Sequence, residues 1–320
     1  MNNCARTGPG PLAIITLMLS MLLSSCQQND TEVAVPKTIT DQILEDSQFS
    51  LLRAAIQHAD VGDALKAGNL TLFAPNDAAF QASGLGSASA ITTLPKEQVR
   101  SLVLYHTLYA SVASSALPQG LNSVETASRG VAFVNKTTTG TLFINNAQVT
   151  QPDLPTANGL IHVIDRVLTP STGTILATIQ ANPNLTLLSA ALRRVSQANP
   201  TLLTALNNSS STNPVTIFAP TDAAFRADGR FGTLAAIETA NPQTLANALL
   251  YHVVSGVVFS NQLQTGTINT LLNNTRLNLV VSTSQITVRG ARNTTAAVVQ
   301  TPNLPATNGV VHTIDQVLLP

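Results

Sequence analysis

The sequence predicts an α+β protein made of two tandem domains of one kind. One segment, the closing box, occurs twice: residues 152–170 read PDLPTANGLIHVIDRVLTP, and residues 302–320 read PNLPATNGVVHTIDQVLLP, with 11 of 19 positions identical. Both halves also contain stretches with helical spacing of apolar residues and stretches in which apolar and polar residues alternate. We therefore expect helices and strands in each half, and a closing box at the end of each domain.

Two shorter segments are repeated in the same order. The FAP box reads TLFAPNDAAF at residues 71–80 and TIFAPTDAAF at 216–225, and the Tyr-His box reads LYH at 104–106 and 250–252. The copies of the three boxes lie 145, 146 and 150 residues apart. This period is far longer than the ~20–50 residues of a solenoid unit. The repeat therefore indicates a duplication of whole domains.

Together the three boxes resemble those of the fasciclin domain family, over residues 38 to 320. The resemblance implies that each half, 38–170 and 174–320, is a fasciclin-like β-sandwich or wedge with several attached α-helices. It also implies an extracytoplasmic role in cell adhesion and contact with a matrix rather than catalysis.

The resemblance further points to candidate binding positions. Adhesion sites of the family include an Asp-Ile pair shortly before the closing Asn-Gly, and the region around the Tyr-His box. In the second half the pair departs as Asn303-Leu304, which lacks the carboxylate, so receptor binding through this pair is not expected there. The candidate binding residues are Asp153, Leu154, Tyr105, His106, Tyr251 and His252.

Residues 1–26 resemble a bacterial lipoprotein signal peptide. The apolar run from Leu12 to Leu23 is shorter than the ~20 residues that cross a membrane. The LSSC sequence ending at Cys26 resembles a lipobox, in which the cysteine is acylated; the alternative is an ordinary secretory signal that is cleaved elsewhere. Residues 27–37 are polar and predict a flexible tether. We expect a protein of the cell envelope, anchored by lipid and facing the periplasm or the cell surface.

Composition limits the classes of partner and of stabilisation. The chain has 16 basic and 16 acidic residues and no basic run, so the positive surface that binds nucleic acid is not expected. Its only cysteines are Cys4 and Cys26, so the mature domains have no disulfide. With 44% hydrophobic residues the chain can form two cores, which must stabilise the domains by themselves.

The boxes contain ionisable residues, but their context does not indicate chemistry. Four of the five histidines lie in the boxes with apolar neighbours and without metal-ligand spacing: His106, His162, His252 and His312. We interpret them as neutral structural residues, the alternative being metal ligands or catalytic bases. Asp77 and Asp222 are expected to be structural; Asn76 or Asp77 is expected to cap the helix that begins at Ala78, with a catalytic acid as the alternative. No enzyme activity, metal or cofactor is expected.

The secondary structure can be predicted coarsely. Helical spacing covers residues 38–60, in which Asp46 and Ser47 offer caps, and residues 94–109, in which the helix is expected to end near Thr107. Residues 121–150 predict two or three strands in a meander. The stretch 160–168 has two largely apolar faces, which indicates an interior strand of a mostly antiparallel sheet. His162 and Asp165 point to opposite faces of that strand, which argues against a catalytic pair. The linker 171–174 is short, so the two domains should lie close together.

These observations predict a membrane-anchored extracytoplasmic adhesion or scaffold protein. Its partner would be a macromolecule, either protein or polysaccharide, of the envelope, the matrix or a neighbouring cell. The alternative is a module that binds an apolar small ligand. A wide apolar cleft between helices and sheet would favour the alternative, and a packed core would favour adhesion.

Overall fold

The computed structural model describes residues 36–196, 200–208 and 212–320, and each half of this part contains helices and one seven-stranded sheet. The expected signal peptide with Cys26, and residues 27–35 of the expected tether, lie outside the described residues. No helix among the described residues is long and apolar enough to cross a membrane.

The first domain begins with helices, followed by strands that alternate with further helices. Its α-helices are α1 (Ile39–Glu45), α2 (Ser50–Ala59), α3 (Asp77–Ala82), α4 (Ala88–Thr92) and α5 (Lys96–Tyr105). Its strands are β1 (Leu70–Pro75), β2 (Thr107–Leu108), β3 (Gly120–Glu125), β4 (Val131–Lys136), β5 (Leu142–Ile144), β6 (Ala147–Thr156) and β7 (Gly159–Ile164). Short 3-10 helices lie at Ser47–Phe49, Ala64–Lys66 and Ser114–Ala116.

The second domain repeats this order. Its described α-helices are α6 (Ile175–Ala181), α7 (Thr186–Val195), α8 (Pro200–Asn207), α9 (Asp222–Asp228), α10 (Leu234–Thr239) and α11 (Pro242–Tyr251). Its strands are β8 (Val215–Pro220), β9 (Val253–Ser255), β10 (Gly266–Asn269), β11 (Arg276–Val281), β12 (Ile286–Arg289), β13 (Ala297–Ala306) and β14 (Gly309–Ile314).

The two sheets have the same topology. The strand order is β2-β1-β7-β6-β5-β4-β3 in the first domain and β10-β11-β12-β13-β14-β8-β9 in the second. The strand of the closing box, β7 or β14, pairs in parallel with the strand of the FAP box, β1 or β8. The other strand pairs are antiparallel, as the sequence predicts.

Each central strand separates two apolar clusters. The helix-facing residues of β1 and β7 are Leu70, Leu72, Ala74, Ile161 and Val163. Phe73 and Ile164 face the other way and pack with residues of β4, β5 and β6, which belong to the other end of the strand order. We call this second group of side chains the inner cluster. The sheet therefore curls on itself as a wedge, with helices on its outer side. The predicted α+β class, with two tandem domains of this kind, is confirmed.

Two predicted helices are shorter in the structure. The segment 38–60 is interrupted at Asp46, whose side chain accepts a hydrogen bond from the Gln48 N–H at 3.0 Å and starts a 3-10 turn. The helix within 94–109 ends at Tyr105, two residues before the expected end near Thr107, because Thr107 and Leu108 pair with β1 as strand β2.

The asparagine of each closing box joins three parts of its domain. Asn158 accepts from the Ile39 N–H at 2.8 Å and donates to the Leu65 carbonyl at 2.8 Å. Asn308 likewise accepts from the Ile175 N–H at 2.8 Å and donates to the Ala205 carbonyl at 3.0 Å. Each side chain thereby satisfies an amide in the first turn of the domain's first helix, which has no partner within the helix.

The two domains contact each other through an interdomain cluster of apolar side chains. The first domain contributes Val131 and Phe133 from β4, and the second contributes Val257, Phe259 and Val310. The rings of Phe133 and Phe259 are 6.5 Å apart, centroid to centroid. The short linker therefore connects domains that are packed together.

The glycine of each closing box is required by close packing. A Cβ atom at Gly159 would lie 2.0 Å from the Leu70 carbonyl oxygen, and one at Gly309 would lie 1.8 Å from that of Val215. Both oxygens belong to the backbone of the parallel neighbouring strand, which cannot move without breaking the sheet.

We predict that Gly309→Ala lowers the free energy of unfolding by ~3 kcal/mol or more, since overpacking against backbone costs at least as much as overpacking in a side-chain core. Gly62→Ala is the matched control, because nothing lies within 4 Å of a Cβ at that position. Denaturant unfolding followed by circular dichroism measures both. Equal stability of the two variants would contradict the packing argument.

Candidate functional site

The tyrosine of each Tyr-His box is buried and hydrogen-bonded to the outer part of the sheet. Tyr105 is 1% exposed, donates to the Val131 carbonyl at 2.8 Å and accepts from the Asn145 amide at 3.1 Å. Tyr251 donates to the Arg276 carbonyl at 2.8 Å. Burial raises the pKa of the Tyr105 hydroxyl to about 12. Each hydroxyl thus fixes the end of a helix to a strand.

The histidine that follows each tyrosine bridges two backbone groups. His106 Nε2 accepts from the Leu168 N–H at 2.9 Å, so the proton is on Nδ1, which donates to the Leu102 carbonyl at 2.8 Å. His252 makes the same pair of bonds, with the Leu318 N–H at 2.9 Å and the Ala248 carbonyl at 2.7 Å. Burial lowers the pKa of both imidazoles to about 4, so both are neutral at pH 7.

The expectation that the Tyr-His boxes contact a partner therefore requires correction. Tyr105, His106, Tyr251 and His252 are all at most 1% exposed. Their polar atoms are bound to backbone groups of the same domain, and a macromolecule cannot reach them while the domain is folded. The burial arises because the helix ends against the inner face of the curled sheet.

The histidines of the closing boxes have the opposite tautomer. His162 Nδ1 accepts from the Asp153 N–H at 3.0 Å, and Nε2 donates to the Val112 carbonyl at 2.9 Å. His312 Nδ1 accepts from the Asn303 N–H at 3.2 Å, and Nε2 donates to the Val258 carbonyl at 2.9 Å. Burial lowers the pKa of His162, and that of His312 to about 4. The structure thus places each imidazole as a bridge between β6 or β13 and a loop.

Asp153 lies at a bulge in β6 and binds the loop that contains Val112 and Ser114. Its φ of 59° is in the left-handed region, which Asp and Asn tolerate better than most residues. The carboxylate accepts from the Ser114 N–H at 2.7 Å and from the Ser114 hydroxyl. Burial would raise the pKa of this carboxyl, but the bonds from Ser114 outweigh it and the pKa is lowered.

Asn303 occupies the equivalent position in the second domain and makes the equivalent hydrogen bonds without a charge. Its φ is 64°, and its amide oxygen accepts from the Ser260 N–H at 2.7 Å. Its amide nitrogen donates to the Ser260 hydroxyl at 2.6 Å. The carboxylate that the second domain lacks is therefore not needed for the local structure.

Ser114, Asp153 and His162 lie together but do not form a catalytic triad. In a triad the histidine lies between the serine and the carboxylate. Here the serine contacts the carboxylate directly, and His162 Nδ1 is 3.9 Å from Asp153 Oδ1. Because the imidazole is neutral and its Nδ1 already accepts from the Asp153 N–H, this contact is not an ion pair either.

Of the two residues expected to cap α3, Asn76 does so, whereas Asp77 and its equivalent Asp222 hold the start of another helix. Asn76, not Asp77, caps α3 by accepting from the Ala79 N–H at 2.8 Å. Asp77 instead accepts from the Leu51 N–H at 2.8 Å and the Ser50 hydroxyl at 2.6 Å, at the start of α2.

In the second domain the equivalent aspartate also bonds to the start of an earlier helix. Asp222 accepts from the Leu187 N–H at 2.8 Å and the Thr186 hydroxyl at 2.6 Å, at the start of α7. The N-cap residues of α2 and α7 are Phe49 and Leu185, which have no side-chain acceptor, and the carboxylates supply it from outside the helix.

The remaining candidates lie at the surface. The Asp153 side chain is 36% exposed, and Leu154 is half-buried against the helix-facing core. Tyr109, which lies outside the three boxes, is 60% exposed just after β2. An aromatic residue in the polar stretch YASVASS is the signal that could have indicated it. Its equivalent in the second domain is Ser255.

The clefts of the described residues are open to solvent. One of about 300 Å³ lies between the domains and includes Leu121, Phe133, Pro214 and Gly256 in its lining. Another of about 500 Å³ lies beside the last residues of the second domain and includes Arg292. Among residues 36–196, 200–208 and 212–320, no group of three or more His, Cys, Asp or Glu side chains could hold a metal ion.

We predict that the free energy of unfolding falls between pH 6.5 and about 4. The pKa values of His106, His252 and His312 are lowered from 6.5 to about 4, so the unfolded chain binds protons first and acid favours it. His252→Gln should cost ~1–3 kcal/mol at neutral pH, because it leaves backbone groups unpaired.

The same variant should also show a smaller pH dependence. Unfolding free energies measured at several pH values test this; an unchanged slope in His252→Gln would show that this histidine is not a buried neutral group.

Comparison with known proteins identifies the repeated unit. A family model described as the fasciclin domain matches residues 47–170 and 184–320. Protein sll1483 of Synechocystis sp. is 34% identical over 137 residues, which are 42% of this chain and 73% of that protein. A fasciclin-like arabinogalactan protein of Arthroderma benhamiae is 34% identical over 177 residues, 55% of this chain and 37% of that protein.

Longer relatives match across both domains. Transforming growth factor-beta-induced protein ig-h3 of Oryctolagus cuniculus is 24% identical over 258 residues, which are 79% of this chain but only 35% of that protein. A solved FAS1 domain pair from the insect cell adhesion molecule Fasciclin I has 17% identity and a TM-score of 0.40, with 84% of this chain and 96% of that chain covered. Since the family model matches well over half of the sequence, once in each half, the resemblance of the boxes is confirmed: the chain belongs to the fasciclin domain family.

Proposed function

We propose that this protein is a membrane-anchored extracytoplasmic adhesion or scaffold protein whose partner is a macromolecule of the envelope, the matrix or a neighbouring cell. The observation that carries the proposal is the use made of the repeated polar residues. Both copies of the Asn, His and Asp residues of the boxes, and of the Tyr-His tyrosine, bind backbone groups of their own domain. Their chemistry is directed inward, which leaves recognition to the outer surface.

Family membership supports this assignment. Fasciclin domain proteins are adhesion proteins, and two such domains packed together offer an extended surface to a large partner. The proposal includes the absence of catalysis: the histidines of the boxes are neutral and bound on both ring nitrogens, so none is available as a general base.

An apolar small ligand is the alternative function. It would need an apolar cavity between helices and sheet, but in both domains this region is occupied by tightly buried side chains. The clefts described above are open to solvent rather than enclosed apolar cavities, which favours the macromolecular partner.

Within the adhesion proposal, the surface of the first domain around Tyr109 is the preferred contact region. Tyr109 is its large exposed aromatic side chain, and tyrosine is enriched at protein interfaces. The Asp153-Leu154 pair remains a second candidate, although its carboxylate is already bound to Ser114. The Tyr-His boxes are no longer candidates because they are buried.

The test is binding of residues 36–320 to an envelope or matrix fraction in a sedimentation assay. Protease treatment of the fraction abolishes binding if the partner is a protein, and periodate oxidation abolishes it if the partner is a polysaccharide. Native mass spectrometry of the purified protein is run in parallel. A stoichiometric apolar small molecule, together with no binding to any fraction, would replace this proposal by the ligand-carrier function.

Two variants locate the contact in that assay. Tyr109→Ser, which introduces the residue of the second domain, should weaken binding ~10-fold or more if Tyr109 is a hot spot. Asp153→Asn should leave stability within ~0.5 kcal/mol, since Asn303 makes the equivalent bonds. Loss of binding in Asp153→Asn alone would assign the site to the carboxylate instead.

We also propose that Cys26 carries the lipid, although it lies outside the described residues. Metabolic labelling with a fatty-acid analogue should label the wild type and not Cys26→Ala, because the variant lacks the thiol that is acylated. The acyl chains would anchor the protein with about 0.8 kcal/mol per buried methylene. Cys4→Ala is the control and should be labelled normally. Equal labelling of wild type and Cys26→Ala would contradict the anchor.

A further inference from the structure

The contact between the two domains joins different surfaces of the same fold. The first domain contributes the outer face of β4, whereas the second contributes the loop after β9 and the start of β14. Such a head-to-tail contact does not close on itself: if the same surfaces were available at both free ends, successive copies could join into open chains. The residues at the two free ends therefore decide whether the pair remains a discrete unit.

The first free end is the face of β11 that corresponds to β4. The register is fixed by the tyrosine bonds, because Tyr105 donates to the Val131 carbonyl and Tyr251 to the Arg276 carbonyl. Two residues further along, Phe133 therefore corresponds to Asn278. The alternation agrees, since the next residues in both strands, Val134 and Leu279, point into the inner cluster.

The second free end is the loop of the first domain that corresponds to residues 256–260. Thr71 accepts from the Val112 N–H at 2.8 Å, and Thr216 accepts from the Val258 N–H at 2.9 Å, so these two positions correspond. The residues on either side of Val258 are Val257 and Phe259, both buried in the interdomain cluster. The residues on either side of Val112 are Ser111 and Ala113.

The comparison gives the same result at both ends. At the interface, Phe133 and Phe259 are 2% and 1% exposed. Their counterparts are an asparagine and an alanine, and Val131 and Val257 are replaced by Arg276 and Ser111. Asn278, Arg276 and Ser111 are exposed. At these four positions the apolar side chain of the interface is thus replaced by a polar or small one where no domain is packed. The fifth, Val310, corresponds to Leu160, which remains apolar and is partly exposed.

We propose that the residues at the two free ends prevent the contact between the domains from being repeated between further copies of the chain. A charged residue and an amide at one end would have to be buried without partners, and the loop at the other end has Ser111 and Ala113 where Val257 and Phe259 fill the contact. The contact is thus specific to the two domains of one chain because the free ends lack most of the apolar side chains that form it.

The test restores each missing surface separately in residues 36–320, which contain both cores. One variant, Arg276→Val with Asn278→Phe, supplies a β4-like face; the other, Ser111→Val with Ala113→Phe, supplies the complementary loop. Each variant alone should sediment as one chain, like the wild type. An equimolar mixture should form a complex of two chains, and one chain with all four substitutions should form larger, concentration-dependent assemblies.

Analytical ultracentrifugation distinguishes the outcomes, and circular dichroism checks that the exposed substitutions leave the fold intact. Self-association of the wild type over the same concentrations, or no complex in the mixture, would overturn the proposal. A separate variant tests the interface itself: Phe133→Asn introduces the residue of the second domain and should increase the radius of gyration measured by X-ray scattering. An unchanged radius would show that Phe133 does not hold the domains together.

Discussion

A strand that is buried on both faces has no water for its polar side chains, and this constraint accounts for most of the polar structure of both domains. The closing strands β7 and β14 lie between the helix-facing core and the inner cluster, yet the box of each includes an asparagine, a histidine and an aspartate. Burying such groups is unfavourable unless they are hydrogen-bonded. Each therefore bonds to backbone from a distant segment, and these bonds fix where the first helix, the loops and the neighbouring strand must lie.

The same constraint explains why the repeated boxes looked like functional sites. Histidine, aspartate and tyrosine recurring at fixed positions are typical of catalytic or binding residues, but buried polar bridges give the same pattern. The tautomers show how specific these bridges are: the Tyr-His imidazoles carry the proton on Nδ1, and the closing-box imidazoles carry it on Nε2. Each ring donates to one carbonyl and accepts from one amide, so each position accepts few other side chains.

The sequence predicted those parts of the fold that depend on local pattern. The two apolar faces of 160–168 correctly indicated an interior strand, and the repeated boxes correctly indicated two domains. The parts that depend on distant partners were missed: Thr107 and Leu108 have helical neighbours but pair with β1, and Asp77 bonds to a helix that precedes it by 26 residues. For the site, the burial of His106 followed from its apolar face, whereas that of Tyr105 depended on the curl of the sheet. The exposure of Tyr109 had only a weak local signal, an aromatic residue within a largely polar stretch.

The parallel pairing of β1 with β7 has a consequence for the order in which the chain can fold. Leu70 pairs with Gly159, and Val215 pairs with Gly309, so neither pair can form until the closing strand has been synthesised. The middle of each sheet is therefore completed by the last strand of its domain. Contacts between residues so far apart in sequence close slowly. Until the closing box arrives, the FAP-box strand has one unpaired edge, and each nascent domain is an open sheet that cannot yet bury its core. The first domain can finish this step while the second is still being made, which separates in time two halves of the same topology that could otherwise exchange strands.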